Sequence, residues 1–223
     1  MNLDEAMQAL EQAGTAQNRK IFARHGVGER MFGVSYAFLK ALAKKLKTDH
    51  ALAEQLWANG NHDARILATM IADPQQASAA QLDQWAADLD SYVIVDAFAG
   101  FAAKTKHAVS KAKTWHRKKS EWLSAAGWTL IARLALDDRE LPDEFFEDSL
   151  TVIEEGIQRA PNRVRHTMNG AVIAIGLRNE KLTKSALAAA QRIGKVEVDH
   201  GETSCQTPDA AAYIQRGLAR RKK

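Results

Sequence analysis

The 223-residue sequence has a single cysteine, Cys205, which excludes an intramolecular disulfide framework and fits a reducing compartment. Only four prolines interrupt it, Pro74, Pro142, Pro161 and Pro208, each where a helix should begin or end. No apolar run approaches the roughly 20 residues that span a bilayer. Met1-Asn2-Leu3-Asp4-Glu5 carries acids where a secretion signal carries cations. The expectation is a soluble, cytoplasmic protein. Strand-forming stretches are scarce, since Tyr92 to Val95 is short and Val196 to Val198 shorter. Nucleophile motifs, phosphate-binding glycine loops and HExxH strings are missing, which excludes the commoner hydrolase, nucleotide and zinc-protease classes.

Charge is plentiful but segregated. The formal net charge is +4 and the pI about 9.2. From Lys104 to Lys119 the chain carries Lys104, Lys106, Lys111, Lys113, Arg117, Lys118 and Lys119 with His107 and His116, and no carboxylate. Between Asp137 and Glu155 nine acids accompany Arg139 alone. Arg163, Arg165 and His166 follow, and the chain ends Arg220-Arg221-Lys222-Lys223. A basic face of this kind suits phosphate contact through counterion release. A plain solvated helix surface is the alternative for the run.

What fills the chain is helical periodicity. Phe38, Leu39, Leu42 and Leu46 mark one apolar stripe among lysines, and Phe145, Phe146, Leu150, Ile153 and Ile157 mark another. Ser35, Ser78 and Ser120 are expected N-caps, and Thr207-Pro208 is expected to open a last helix. Ten to twelve helices with breaks every 35–45 residues fit stacked helical pairs in one domain over residues 1–223, with 195–223 as a C-terminal cap and basic tail. Composition and periodicity alone lead to an all-α solenoid or an irregular helical bundle.

The string Ser91-Tyr92-Val93-Ile94-Val95-Asp96 ends an apolar run on an acid. Such an acid costs free energy if buried, so it must be exposed, paired or used. Its place before the basic run makes a nucleic-acid-processing cleft the first hypothesis, with an ordinary helix-terminal or ion-paired acid as the alternative. Tyr92 fits either core packing or nucleotide contact. Trp57, Trp85 and Trp115 fit packing, while Trp122 and Trp128 fit either packing or a cleft. Arg65 fits phosphate contact or an ion pair with Asp63 or another acid. The stretch from Asp199 to Cys205 holds His200, Cys205 and two acids, but without zinc-ligand spacing, so a capping loop is expected there rather than a metal site.

Several strings together resemble the DNA alkylation repair family of AlkD-like, HEAT-repeat glycosylases. They are Phe32-Gly33-Val34-Ser35, the stretch from Leu56 to Ala68 containing Asn61-His62-Asp63-Ala64-Arg65, and Trp85 followed by Ser91 to Asp96. Trp122 to Trp128 and Arg163 to Asn179 complete the set. The resemblance covers about residues 20 to 190 and implies HEAT-like helical repeats forming a curved α-solenoid with a cationic concave surface for double-stranded DNA. It implies hydrolysis of the N-glycosidic bond of cationic N3- or N7-alkylpurines without base flipping.

Residue by residue, the resemblance assigns the catalytic carboxylate to Asp96. Substrate contact falls on Tyr92, in place of a family tryptophan, and on Trp122, Trp128 and Gly170. Contact with DNA falls on Arg65, Lys118, Lys119, Arg163, Arg165 and His166. The first aspartate of the family's Ser-Trp-Asp is Val93 here, its arginine falls on Ala125 and its later tryptophan on Gly170. The chemistry needs no cofactor and no metal, and the expected partner is alkylated duplex DNA bound by a monomer, with nucleoid association when bound. The rival expectations are a non-catalytic DNA-binding relative and a helical-repeat scaffold for an acidic protein partner.

Overall fold

A computed structural model describes residues 1–138 and 140–221. Arg139, and Lys222 and Lys223 of the basic tail, lie outside the described residues. Every regular element among those described is helical, in thirteen α-helices and one 3-10 turn. That exceeds the ten to twelve expected from periodicity because helices such as α2 (Ala16–Arg24) bury no residue and leave no apolar stripe to count. No described helix is long and apolar enough to cross a membrane. The chain divides into two compact units, Met1–His107 with Gly201–Thr203, and Ala108–His200 with Ser204–Lys223.

The first unit contains α1 (Leu3–Ala13), α2, α3 (Tyr36–Leu46), α4 (His50–Asn59), α5 (His62–Ile71), α6 (Ala79–Ala87) and α7 (Tyr92–Ala102). Short polar side chains start most of them by accepting a backbone amide: Asn2, Thr15, Ser35, Asp49, Asn61 and Ser78. Ser78 caps as expected, but Gln81 turns its amide to Glu54 and His50 instead of closing a capping box. Helix α5 is central, packing on α3, α4 and α7, because Ala64 and Ala68 let neighbours approach while Ile66, Leu67 and Ile71 fill the gaps. Trp57 and Trp85 stack face to face at 4.4 Å, with Phe98 and Phe101 tilted against them. They are core residues, as are the apolar parts of the strings around them.

One buried charge organises this unit. Asp63, 0% exposed, accepts the amides of Phe32 at 2.7 Å, Gly33 at 3.0 Å and Val34 at 2.9 Å. Gly33 has φ +80°, and a Cβ there would meet the Thr15 carbonyl oxygen at 2.7 Å, so the loop needs glycine at that point. Two strings almost thirty residues apart are therefore halves of one clamp.

The second unit contains α8 (Ala108–Trp115), α9 (Glu121–Asp137), α10 (Asp143–Gly156), the 3-10 turn (Ile157–Arg159), α11 (Asn162–Gly176), α12 (Glu180–Ile193) and α13 (Ala210–Arg221). Pro142 and Pro161 stand at the starts of α10 and α11. Helices α9 and α11 form its main contact, and α8 packs closely on α9 at Gly127, where a Cβ would lie 2.2 Å from the His116 amide. Ser120 occupies the N-cap of α9 without a side-chain bond. The last helix starts two residues beyond Thr207-Pro208, with Asp209 accepting the Ala212 amide at 2.7 Å. Residues 210–221 of the expected cap and tail thus form helix α13, anchored by the fully buried Ile214. Arg178 closes the end of α9, its guanidinium donating to the carbonyls of Leu134, Ala135, Asp138 and Leu141 and lying 4.5 Å from the Phe146 ring. A cation there satisfies orphan carbonyls and meets the negative end of the helix dipole.

Candidate nucleic-acid interface

The Ser91–Asp96 string is helical from Tyr92 onward, with Ser91 extended at the N-cap. That places Tyr92 and Asp96 four residues apart on one face of α7. Asp96 is exposed, so the carboxylate avoids the desolvation that its apolar neighbours suggested. Tyr92 is half-buried, and its hydroxyl is hydrogen-bonded to Nδ1 of His25, whose ring meets it edge-on with centroids 5.9 Å apart. Beneath them lies a cavity of about 170 Å³ bordered by Phe22, His25, Tyr36, His62, Tyr92 and aliphatic side chains. His62 is 7% exposed, and burial holds its imidazole below the usual histidine range even though Asp63 and Asp90 oppose that shift.

Arg65 is tied to acids of its own unit. Its guanidinium lies 3.6 Å from both Asp88 and Asp90, donates to the Asp88 carbonyl at 3.0 Å and sits 5.4 Å from the Trp57 ring. It joins α5 to the loop before α7, through the kind of ion pair that the sequence offered as the alternative to DNA contact. Its acids are Asp88 and Asp90, while Asp63 is occupied by the amides of the clamp.

In the second unit Trp122 is half-buried, but Trp128 is 0% exposed, with the His116 ring edge-on at 4.9 Å. Trp128 is a packing residue, not a nucleotide contact. Burial lowers the pKa of His116, whose Nδ1 is 2.7 Å from the Ala112 carbonyl oxygen. Ala125, where the resemblance expects an arginine, is 1% exposed. Gly170 is the opposite case: a Cβ there would meet nothing within 4 Å. Lys118 and Lys119 are exposed.

Arg165 donates to the carbonyls of Glu197 at 2.7 Å and Ala160 at 3.2 Å, so it holds the segment after α12. His166 lies edge-on to His200 with centroids 5.6 Å apart, and burial, then His200 and Arg163, lower its pKa. Arg165 lines a cleft of about 840 Å³ together with residues 194–200 and 205–210, and His166 packs against His200 in that lining. Arg165 and His166 thus have partners within the fold, where the sequence reading expected DNA contact. His200 donates to or accepts from Thr207 Oγ1 at 3.0 Å, and among the described residues no three His, Cys, Asp or Glu side chains are grouped to hold a metal ion.

Over residues 6–214 the sequence matches the family described as DNA alkylation repair enzyme. The chain belongs to this family. It is 30% identical to the uncharacterized protein Lin0241 of Listeria innocua over 98% of this chain and 96% of that one. It is equally 30% identical to the uncharacterized protein Lmo0209 of Listeria monocytogenes, over 99% and 97%. A solved structure, described as a new family related to the HEAT-like repeat DNA glycosylases with affinity for branched DNA structures, matches with a TM-score of 0.91. Its sequence is 29% identical, and the match covers 99% of this chain and 95% of that one. The all-α, HEAT-like repeat fold implied by the strings is therefore the fold of this chain.

The residues that sequence reasoning missed are His25 and the imidazole of His62. His25 stands 67 residues from its partner Tyr92 in a stretch without periodicity, so nothing local pointed to it. Charge is also divided unequally: the second unit has 20 lysines and arginines against 14 acids, the first 11 against 13.

Proposed function

We propose that the protein binds DNA whose duplex is distorted or branched, without breaking a glycosidic bond. The observation that carries this reading is the pair of vacated family positions. Gly170 opens onto empty space, and Ala125 is sealed within packing, so neither supplies the side chain that would hold a lesioned nucleotide. The affinity of the related solved structure for branched DNA supports the same reading. In it, exposed Lys118 and Lys119, with Arg163, contact phosphates, and the surplus of six positive charges in the second unit supplies the salt-dependent attraction. Trp122 and Tyr92 offer partly exposed ring surface to unstacked nucleotides. The test is fluorescence anisotropy with a four-way junction and a linear duplex of equal length at one salt concentration. At least tenfold tighter junction binding is expected, and equal affinity would discard the preference for branched DNA.

Asp96 favours a second reading. An exposed carboxylate one helical turn from Tyr92 has the charge needed to stabilise an oxocarbenium ion as a cationic N3- or N7-alkylpurine departs. Release of 7-methylguanine from alkylated DNA by the wild type, abolished in Asp96→Asn, would establish that activity. No release above background from either protein would leave binding alone.

A further inference from the structure

The cavity beneath Tyr92 has no part in phosphate binding or in carbohydrate chemistry at Asp96. Its volume, about 170 Å³, is below the roughly 300–1,000 Å³ of drug-sized sites and fits a single flat ring system. Aromatic side chains of Phe22, Tyr36 and Tyr92 border it, and Ile21, Val34 and Val93 add aliphatic surface. Tyr36, 44% exposed, stands on the solvent side, so the cavity is reachable.

Polar groups select among flat occupants. His62 is more than nine-tenths buried, reaches the lining, and its ring nitrogens make no hydrogen bond with another described residue. A neutral imidazole carries one donor and one acceptor, which the hydrogen-bonding edge of an occupant can engage. The lining's one carboxylate, Asp63, is spent on three backbone amides. No lysine or arginine lines the cavity, so a phosphate or carboxylate would find no counter-charge. A neutral planar heterocycle with a hydrogen-bonding edge would stack on the aromatic side chains and satisfy His62 together.

We infer that this cavity receives one unstacked nucleobase of the bound DNA. The inference rests on the proposed preference for branched DNA, because branch points expose bases that a continuous duplex keeps stacked. Base flipping into a snug pocket is costly from intact duplex and far less so where pairing is already lost.

The test has two arms. In the first, adenosine or thymidine is titrated into the full chain and followed by NMR of the histidine and tyrosine ring signals. A saturable shift is expected for wild type and not for Ile21→Trp, which fills the cavity from a half-exposed position. In the second, a junction with one unpaired nucleotide at the branch is compared with the same junction carrying an abasic site there. Wild type should bind the former about tenfold more tightly. Ile21→Trp and Tyr36→Ala should erase that difference while binding a fully paired junction within twofold of wild type. Equal binding to base and abasic junctions, or nucleosides binding no better than indole, would overturn the base assignment. Loss of junction preference with nucleoside binding intact would instead sink the branched-DNA reading and leave the pocket standing.

Discussion

Replacing Asp63 by alanine removes a fully buried carboxylate and strips the amides of Phe32, Gly33 and Val34 of their acceptor. Hydrogen bonds to a charged group contribute roughly 1.5–3 kcal/mol each. The three share one acceptor and are not additive, so the loss is about 4–6 kcal/mol. At about 2–4 °C per kcal/mol for a chain of this size, the melting temperature should fall by about 10–20 °C. Asp63→Asn keeps one carbonyl oxygen but turns an NH2 toward amide donors, so about half of that fall is expected. Differential scanning calorimetry reads the shift, and hydrogen exchange tests its cause. The amides of residues 32–34 should be protected in wild type and exchange freely in Asp63→Ala. A fall below about 4 °C, or unchanged exchange at those amides, would refute the clamp.

Lys118→Ala and Lys119→Ala should each weaken DNA binding for all sequences and reduce the slope of log affinity against log salt by about 1, measured by anisotropy across a salt series. Buried His62 and half-buried His116 and His166 all have pKa values lowered below 6.5, so unfolding takes up protons in acid. Their contribution is fully present above pH 6.5 and is lost as pH falls through the lower folded-state values. Melting temperature should therefore drop between pH 7.5 and pH 5.5, and a flat profile would contradict it. Gly170→Ala adds a methyl into open space within a helix, and should raise the melting temperature by about 2 °C through a gain of roughly 0.5–1 kcal/mol.

The helices were legible because their causes are local. Ser35 and Ser78 announce helix starts, and the stripe through Leu39 and Leu42 announces a buried face. Thr207-Pro208 misled because the next residue, Asp209, is the stronger cap and takes the helix start. Tyr92 and Asp96, which the sequence singled out in a short β-prone string, lie four residues apart on helix α7. The sequence could not separate Arg65, Arg165 and Trp128 from real ligand contacts. A charged or aromatic side chain looks alike in sequence whether it faces solvent or is tied to Asp88, to the Glu197 carbonyl or to the His116 ring. Those distinctions depend on partners many residues away.

The same distinction bears on what family membership means for activity. The strings that carry it divide by energetic role. Asp63, Gly33 and Arg178 hold loops and helix ends through buried charge and tight backbone approach, and losing one would consume a large part of the roughly 5–15 kcal/mol that keeps such a chain folded. Tyr92 is half-buried, and Gly170 faces open space. Exchanges at such positions alter stability by about 1 kcal/mol or less. Folding therefore constrains the first group tightly and the second hardly at all. A match dominated by the first group reports the HEAT-like scaffold, while the chemistry is decided at the second, where this chain has tyrosine, glycine and a cavity sized for one ring.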